Sequence, residues 1–301
     1  MRRTDLTDRW HSESARDVIE RMTAGSSLDD VGLATVDGLL DLRGLPAAGL
    51  VAEGARLVGL DLSYASLTEA RLNDVHWRQC RFDGVDLSAA VFRGGSVSES
   101  TVRRADLRDA FVGGAEWSSV DLVGSKSAYF AAERTTFART TFPALASVGF
   151  TRCSFDDCRF LGGLSGVRFL GRQTRADPER AVLRRVSFFS DNLRYAEFDG
   201  MEFEDVSFPA SDAIVVVPHG FRAVAERASD LSLLRRDDIG EAFRKFMSRE
   251  SMRPGLSVTA GWAIGRRDFT DDHPNGPELA EFAVRTLRKA QKQLRSEGVI
   301  P

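Results

Sequence analysis

From Leu57 to Leu122 every fifth residue is large and apolar: Leu57, Leu62, Leu67, Leu72, Trp77, Phe82, Leu87, Phe92, Val97, Val102, Leu107, Val112, Trp117 and Leu122. Two residues before each stands a second inward candidate, and ten of these fourteen are Ala, Cys, Ser or Gly. A period of five matches neither the helix at 3.6 nor the strand at 2, so it belongs to a repeat. Such a repeat requires a coil in which the centre and the small residue of each unit point inward and three residues face out.

"ASLTE" (65–69), "ARLND" (70–74), "VDLSA" (85–89) and "ADLRD" (105–109) are near copies of one unit. The pattern resembles the pentapeptide-repeat family: a small residue, Asp or Asn, Leu or Phe, then two polar residues. The resemblance implies a mainly β fold, a right-handed quadrilateral parallel β-helix in which four units close one square turn. Twenty residues then make a coil, and coils stack at about 4.8 Å. Residues twenty apart should lie one above another, giving inward columns Leu57, Trp77, Val97, Trp117, Phe137 and Leu62, Phe82, Val102, Leu122, Phe142. Close packing suggests that Val must separate the largest rings, since a dense interior should not hold three in successive layers.

The register divides the chain. Leu42, Ala47 and Ala52 keep the phase, so the β-helix is expected over 40–215, behind an N-terminal helical cap, 1–39, with a helix near 14–23. The phase slips after Phe142 and resumes at Phe150, Phe155 and Phe160. Residues 171–185, polar and aperiodic with Pro178, read as an extruded loop. From about Val216 the period of five gives way to helical stripes: Phe221, Val224, Ala228, Leu231; then Ile239, Phe243, Met247; then Leu279, Phe282, Ala283, Leu287, Ala290, Leu294. Residues 216–301 are therefore a helical C-terminal region whose apolar faces need cover. The end of the β-helix and a second copy of the chain are the two candidates.

Composition narrows the function. Cys80, Cys153 and Cys158 are too few and odd in number for a disulfide framework, and each falls on a small inward position. The first residues carry two arginines but no following apolar stretch, so no signal peptide, no membrane span and a cytoplasmic location are expected. The four histidines include no pair at metal-binding spacing, and Asp268, Asp271, Asp272 and His273 lack the spacing of a Ca²⁺ loop. No catalytic residue, metal or cofactor is expected, and the chain reads as a non-enzyme.

Some members of the family it resembles shield DNA gyrase by imitating duplex DNA, which needs an excess of carboxylates. Residues 55–145 carry eleven Lys+Arg and eleven Asp+Glu, so the rod is neutral. That disfavours both DNA mimicry and direct nucleic-acid binding. The expectation is a protein-binding scaffold or accessory factor for an enzyme or its substrate, with a topoisomerase-protecting resistance factor as the alternative. Two surfaces could carry the contact. One is the loop cluster Arg172, Arg175, Arg180, Arg184 and Arg185. The other is an outward column in which Arg71 is followed by apolar Val91, Phe111 and Ala131, a pattern that marks interfaces. A homodimer through the C-terminal helices or the Val91/Phe111 face is a further possibility.

Overall fold

The computed structural model describes residues 3–10, 12–171, 181–251, 261–270 and 273–300. It is a mainly β, parallel solenoid with helices at its N-terminal and C-terminal segments. Two compact units divide the chain, residues 1–149 with 155–161, and residues 150–154 with 162–301.

In the first unit the register is the one the repeat dictates. Leu57 pairs with Trp77, Trp77 with Val97, Val97 with Trp117 and Trp117 with Phe137, each pair twenty residues apart. The centres are buried and the flanking positions alternate outward. A regular hydrogen-bond rule joins the coils. The corner residue two after each centre donates its N–H to a carbonyl nineteen residues on, as Gln79 does to Ser98 at 3.0 Å and Ala89 to Arg108 at 2.9 Å. The carbonyl at each small position accepts from the residue twenty-one on, as Ala55 does from His76 at 2.8 Å. Those corners are left-handed, with φ of 54° at Gln79 and 57° at Ala89, which is why five residues suffice to turn one side of the square.

The slip after Phe142 shortens one coil: Phe142 pairs with Phe160, eighteen residues on. The expectation that large rings cannot follow one another in three layers is corrected here. Trp117, Phe137 and Phe155 lie in succession, with Trp117–Phe137 edge-on at 6.1 Å and Phe137–Phe155 stacked at 5.2 Å. Parallel rings stack close to the spacing of the coils themselves, so a column of Phe fills the interior without displacing its neighbours.

Before the first coil, α1 (Arg3–Asp8) and α2 (Ser12–Ala24) precede the strand Leu39–Asp41, where Leu40 pairs with Leu60. Val18 and Met22 of α2 are fully buried.

In the second unit Leu164 pairs with Leu193 and Phe169 with Phe198, twenty-nine residues apart, so the coil between them carries nine extra residues. The strand Val182–Arg184 pairs with Glu202–Glu204, and Leu183 is fully buried. The expected loop 171–185 is therefore too long at its C-terminal end: an apolar centre at Leu183 already restores the register.

The C-terminal region is not purely helical. Strand Ile214–Val217 pairs antiparallel with Trp262–Gly265, forming a two-stranded ribbon. Val215, Val217, Trp262 and Ile264 share one of its faces and join a core with Phe221, Val224, Phe243 and Leu287 from α3 (Phe221–Ser232), α4 (Asp238–Ser251) and α6 (Gly276–Ser296). Asp237 caps α4, its carboxylate accepting the Gly240 N–H at 3.0 Å.

The ribbon docks on the last coil. Gly265 packs so closely on Leu193 that a Cβ would clash with its carbonyl oxygen, and one on Gly261 would enter the Phe203 ring. The short helix α5 (Arg267–Thr270) places Asp268 where a following coil would stand. Its carboxylate accepts the Tyr195 N–H at 2.6 Å, the corner position of that coil, while the Gly261 N–H donates to the small-position carbonyl of Met201 at 3.1 Å. The cap thus satisfies two backbone groups that a further coil would otherwise take.

Candidate functional site

The outward column is continuous by register. Val51 lies beside Arg71, Arg71 beside Val91, Val91 beside Phe111 and Phe111 beside Ala131. Val51 is more than half exposed, whereas Val91, Phe111 and Ala131 are half-buried. Phe111 owes part of its cover to its own strand. The ring folds over Gly113, where a Cβ would stand 2.7 Å from it. Tyr129, 70% exposed at a corner with φ of 61°, precedes Ala131 by two residues and adds an aromatic ring to the same coil. The column is a shallow apolar strip on a sheet, too flat to be a pocket.

Arg172, Arg175 and Arg180 lie outside the described residues. Arg184 and Arg185 belong to the solenoid and not to a loop. Arg184 pairs with Glu204, its register partner one coil on, at 2.6 Å. That hydrogen bond holds the Glu204 carboxyl below its usual range. Arg185 stands at a left-handed corner with φ of 51°. Of the five arginines, the two described ones thus follow the register restored at Leu183, a return that only this one apolar centre marks in the sequence.

Charges along the rod cancel locally. Arg103 pairs with Asp121 at 2.6 Å, and Arg81 with Asp61 at 3.2 Å. Asp86 and Asp106 are register neighbours, and Asp106 is bracketed by Arg108 at 2.6 Å and Lys126 at 4.0 Å. The Arg108 hydrogen bond outweighs burial and lowers the Asp106 pKa. The balance of charge in the sequence is thus matched by pairs between neighbouring side chains.

The remaining chemistry is sparse. All three cysteines are buried and unbridged, and burial pushes Cys80 up to about 11 and Cys158 up to about 12, so both stay protonated near neutral pH. His76 is exposed on its strand, with Nδ1 3.0 Å from the Ser96 hydroxyl one coil on. Among the described residues no cluster of three His, Cys, Asp or Glu could hold a metal, and no helix is long and apolar enough to cross a membrane.

Residues 61–96 match the family model for pentapeptide repeats, in eight copies. No curated protein matches the chain. Among solved structures, the chain is similar to HetL, a pentapeptide-repeat protein involved in heterocyst differentiation regulation from the cyanobacterium Nostoc. The identity is 19%, covering 64% of this chain and 91% of that one, with a TM-score of 0.34. It is similar also to full-length QnrB1, a plasmid-mediated fluoroquinolone resistance protein, at 17% identity over 57% of this chain and 92% of that one, with a TM-score of 0.31.

Proposed function

We propose that this chain, a pentapeptide-repeat protein, acts by binding a partner protein on the outer surface of its solenoid, as a scaffold or accessory factor. The observation that carries this reading is the run of Val91, Phe111 and Ala131, apolar residues aligned at the surface of three adjacent coils. Apolar residues aligned over adjacent coils at the surface favour contact with another apolar surface. The local cancellation of charge counts against imitation of duplex DNA, whose phosphates present one sign throughout.

The test is recovery of native partners on the intact chain beside its Phe111→Glu variant. A partner retained by the parent and lost by the variant, with both proteins folded, supports the reading. Identical partner sets with both proteins reject this face as the contact.

A further inference from the structure

We propose that an open rung of the last coil, residues 206–208, binds an extended segment of another protein as an added parallel strand. The proposal uses other residues than the Val91/Phe111 strip and does not depend on it. Successive coils are joined by a residue that engages both of its backbone groups. Asp86 donates its N–H to the Ala65 carbonyl at 3.0 Å and accepts the Leu67 N–H at 2.7 Å. In the second unit Ser207 does the same, donating to the Val186 carbonyl and accepting the Phe188 N–H, both at 2.9 Å. A further coil would treat the Val206 carbonyl and the Phe208 N–H in this way. Among the described residues neither group has a hydrogen-bond partner. The rings tell the same story. Phe188 is 4% exposed, with Phe208 stacked on it at 4.5 Å, whereas Phe208 is only half-buried.

The rung lines a cleft of about 460 Å³, together with Ile214 and Val216 of the ribbon and Arg288, Gln291 and Arg295 of α6. That volume falls within the usual range of binding clefts, roughly 300–1,000 Å³. Arg288 and Gln291 donate to the carbonyls of Ile214 and Val216 at 3.2 and 2.8 Å, so α6, and not the rung, takes these ribbon acceptors. An acceptor and a donor two residues apart on extended backbone select a peptide, because one residue of an added strand supplies both partners. A phosphate or carboxylate could take the Phe208 N–H but would set its charge against the Val206 carbonyl. The next residue of the strand lays its side chain on the Phe208 ring and should be apolar. The charged side chains lining the cleft are Arg288 and Arg295, so the outward residues of the strand should be neutral or acidic.

The probe is a terminally blocked peptide copying residues 84–90, GVDLSAA, in which Asp86 would stand opposite Ser207 and Leu87 over Phe208. Titrated into the isotope-labelled full chain, it should shift the Phe208 amide resonance and slow the hydrogen exchange of that amide. Methylating the peptide nitrogen of its Asp86 removes the donor to Val206 and should weaken binding roughly tenfold. Because only the peptide is altered, the folding of the chain does not enter the comparison. No shift at Phe208 with millimolar peptide, equal binding of the methylated peptide, or shifts confined to other amides would overturn the proposal. Phe208 exchange that is already slow without peptide and quickens on dilution would assign the rung to a second copy of the chain, and would overturn it too.

Discussion

The guanidinium of Arg9 grips both oxygens of the buried Asp41 carboxylate, at 2.6 and 2.8 Å. Arg43 reaches the same two oxygens at 2.9 Å each, and the Trp10 indole donates to the Arg43 carbonyl at 2.9 Å. The segment before α2 is thereby tied to the first coil. Burial alone would raise the Asp41 pKa, but the hydrogen bonds from Arg43 and Arg9 hold it well below the usual carboxylate range. A carboxylate depressed in the folded state stabilises fully above its unfolded value, about 3.9, and less as pH falls toward the folded value. Acidification below about pH 4 should therefore weaken the clamp progressively, seen as amide protection in α2 falling with pH before the solenoid strands exchange. Asp41→Ala, which leaves arginines unpaired, should cost about 3 kcal/mol. Equal protection of α2 at pH 3 and pH 7 would count against the clamp.

Two buried indoles lack hydrogen-bond partners: the Nε1 groups of Trp77 and Trp117. An unpartnered buried donor costs about 1–3 kcal/mol, and trimming indole to phenyl loses a similar amount of packing. Trp117→Phe should therefore change unfolding free energy by less than about 1.5 kcal/mol, whereas Trp117→Ala should cost about 3–5 kcal/mol. Urea titration of the two variants checks this. A large loss for the Phe variant would mean that the indole N–H is satisfied.

Gly265 fits against the Leu193 carbonyl with no room for a Cβ. Gly265→Ala should push the ribbon off the last coil at a cost of about 1–3 kcal/mol, exposing α3–α6 to protease while the strands around Trp77 stay protected. Uniform resistance to digestion would show that the ribbon can shift without separating.

Phe111→Glu should leave the inward stack intact, because its neighbour Val112 and not Phe111 fills the core. Its far-UV spectrum and melting temperature should match the parent's. If the strip contacts a second copy, the variant should run smaller in light scattering; if it contacts another protein, only the partner should be lost.

Because neighbouring charges cancel, the purified chain should not strongly inhibit DNA supercoiling by gyrase. Inhibition at low micromolar protein would refute the electrostatic reasoning, since a neutral rod cannot reproduce the potential of a duplex.

The coil register was legible because a single periodicity encodes both pairing and burial: once Leu57 and Trp77 are twenty apart, their neighbours follow. The shortened coil at Phe142–Phe160 was visible as a change of phase, and the helices as apolar stripes. The ribbon was not legible. Ile214–Val217 reads as a fading of the repeat, and its partner Trp262–Gly265 lies some 45 residues on with only four residues of its own. Likewise Tyr195, Phe246 and Trp262 come from a corner, a helix and a strand, and nothing in their spacing foretells that they line one small cavity. Long-range contacts of this kind leave no periodic trace, because each is made once.

A rung that repeats without variation carries no instruction to stop. The backbone of a last coil offers the same hydrogen-bonding template as every coil before it, and would accept a strand from any molecule in the right register. Asp268 and Gly261 counterfeit the next rung: a carboxylate stands in for a carbonyl, and a glycine N–H for that of a strand. At these two positions the template is answered by groups that belong to no strand in register, and the repeat offers no free edge there to extend.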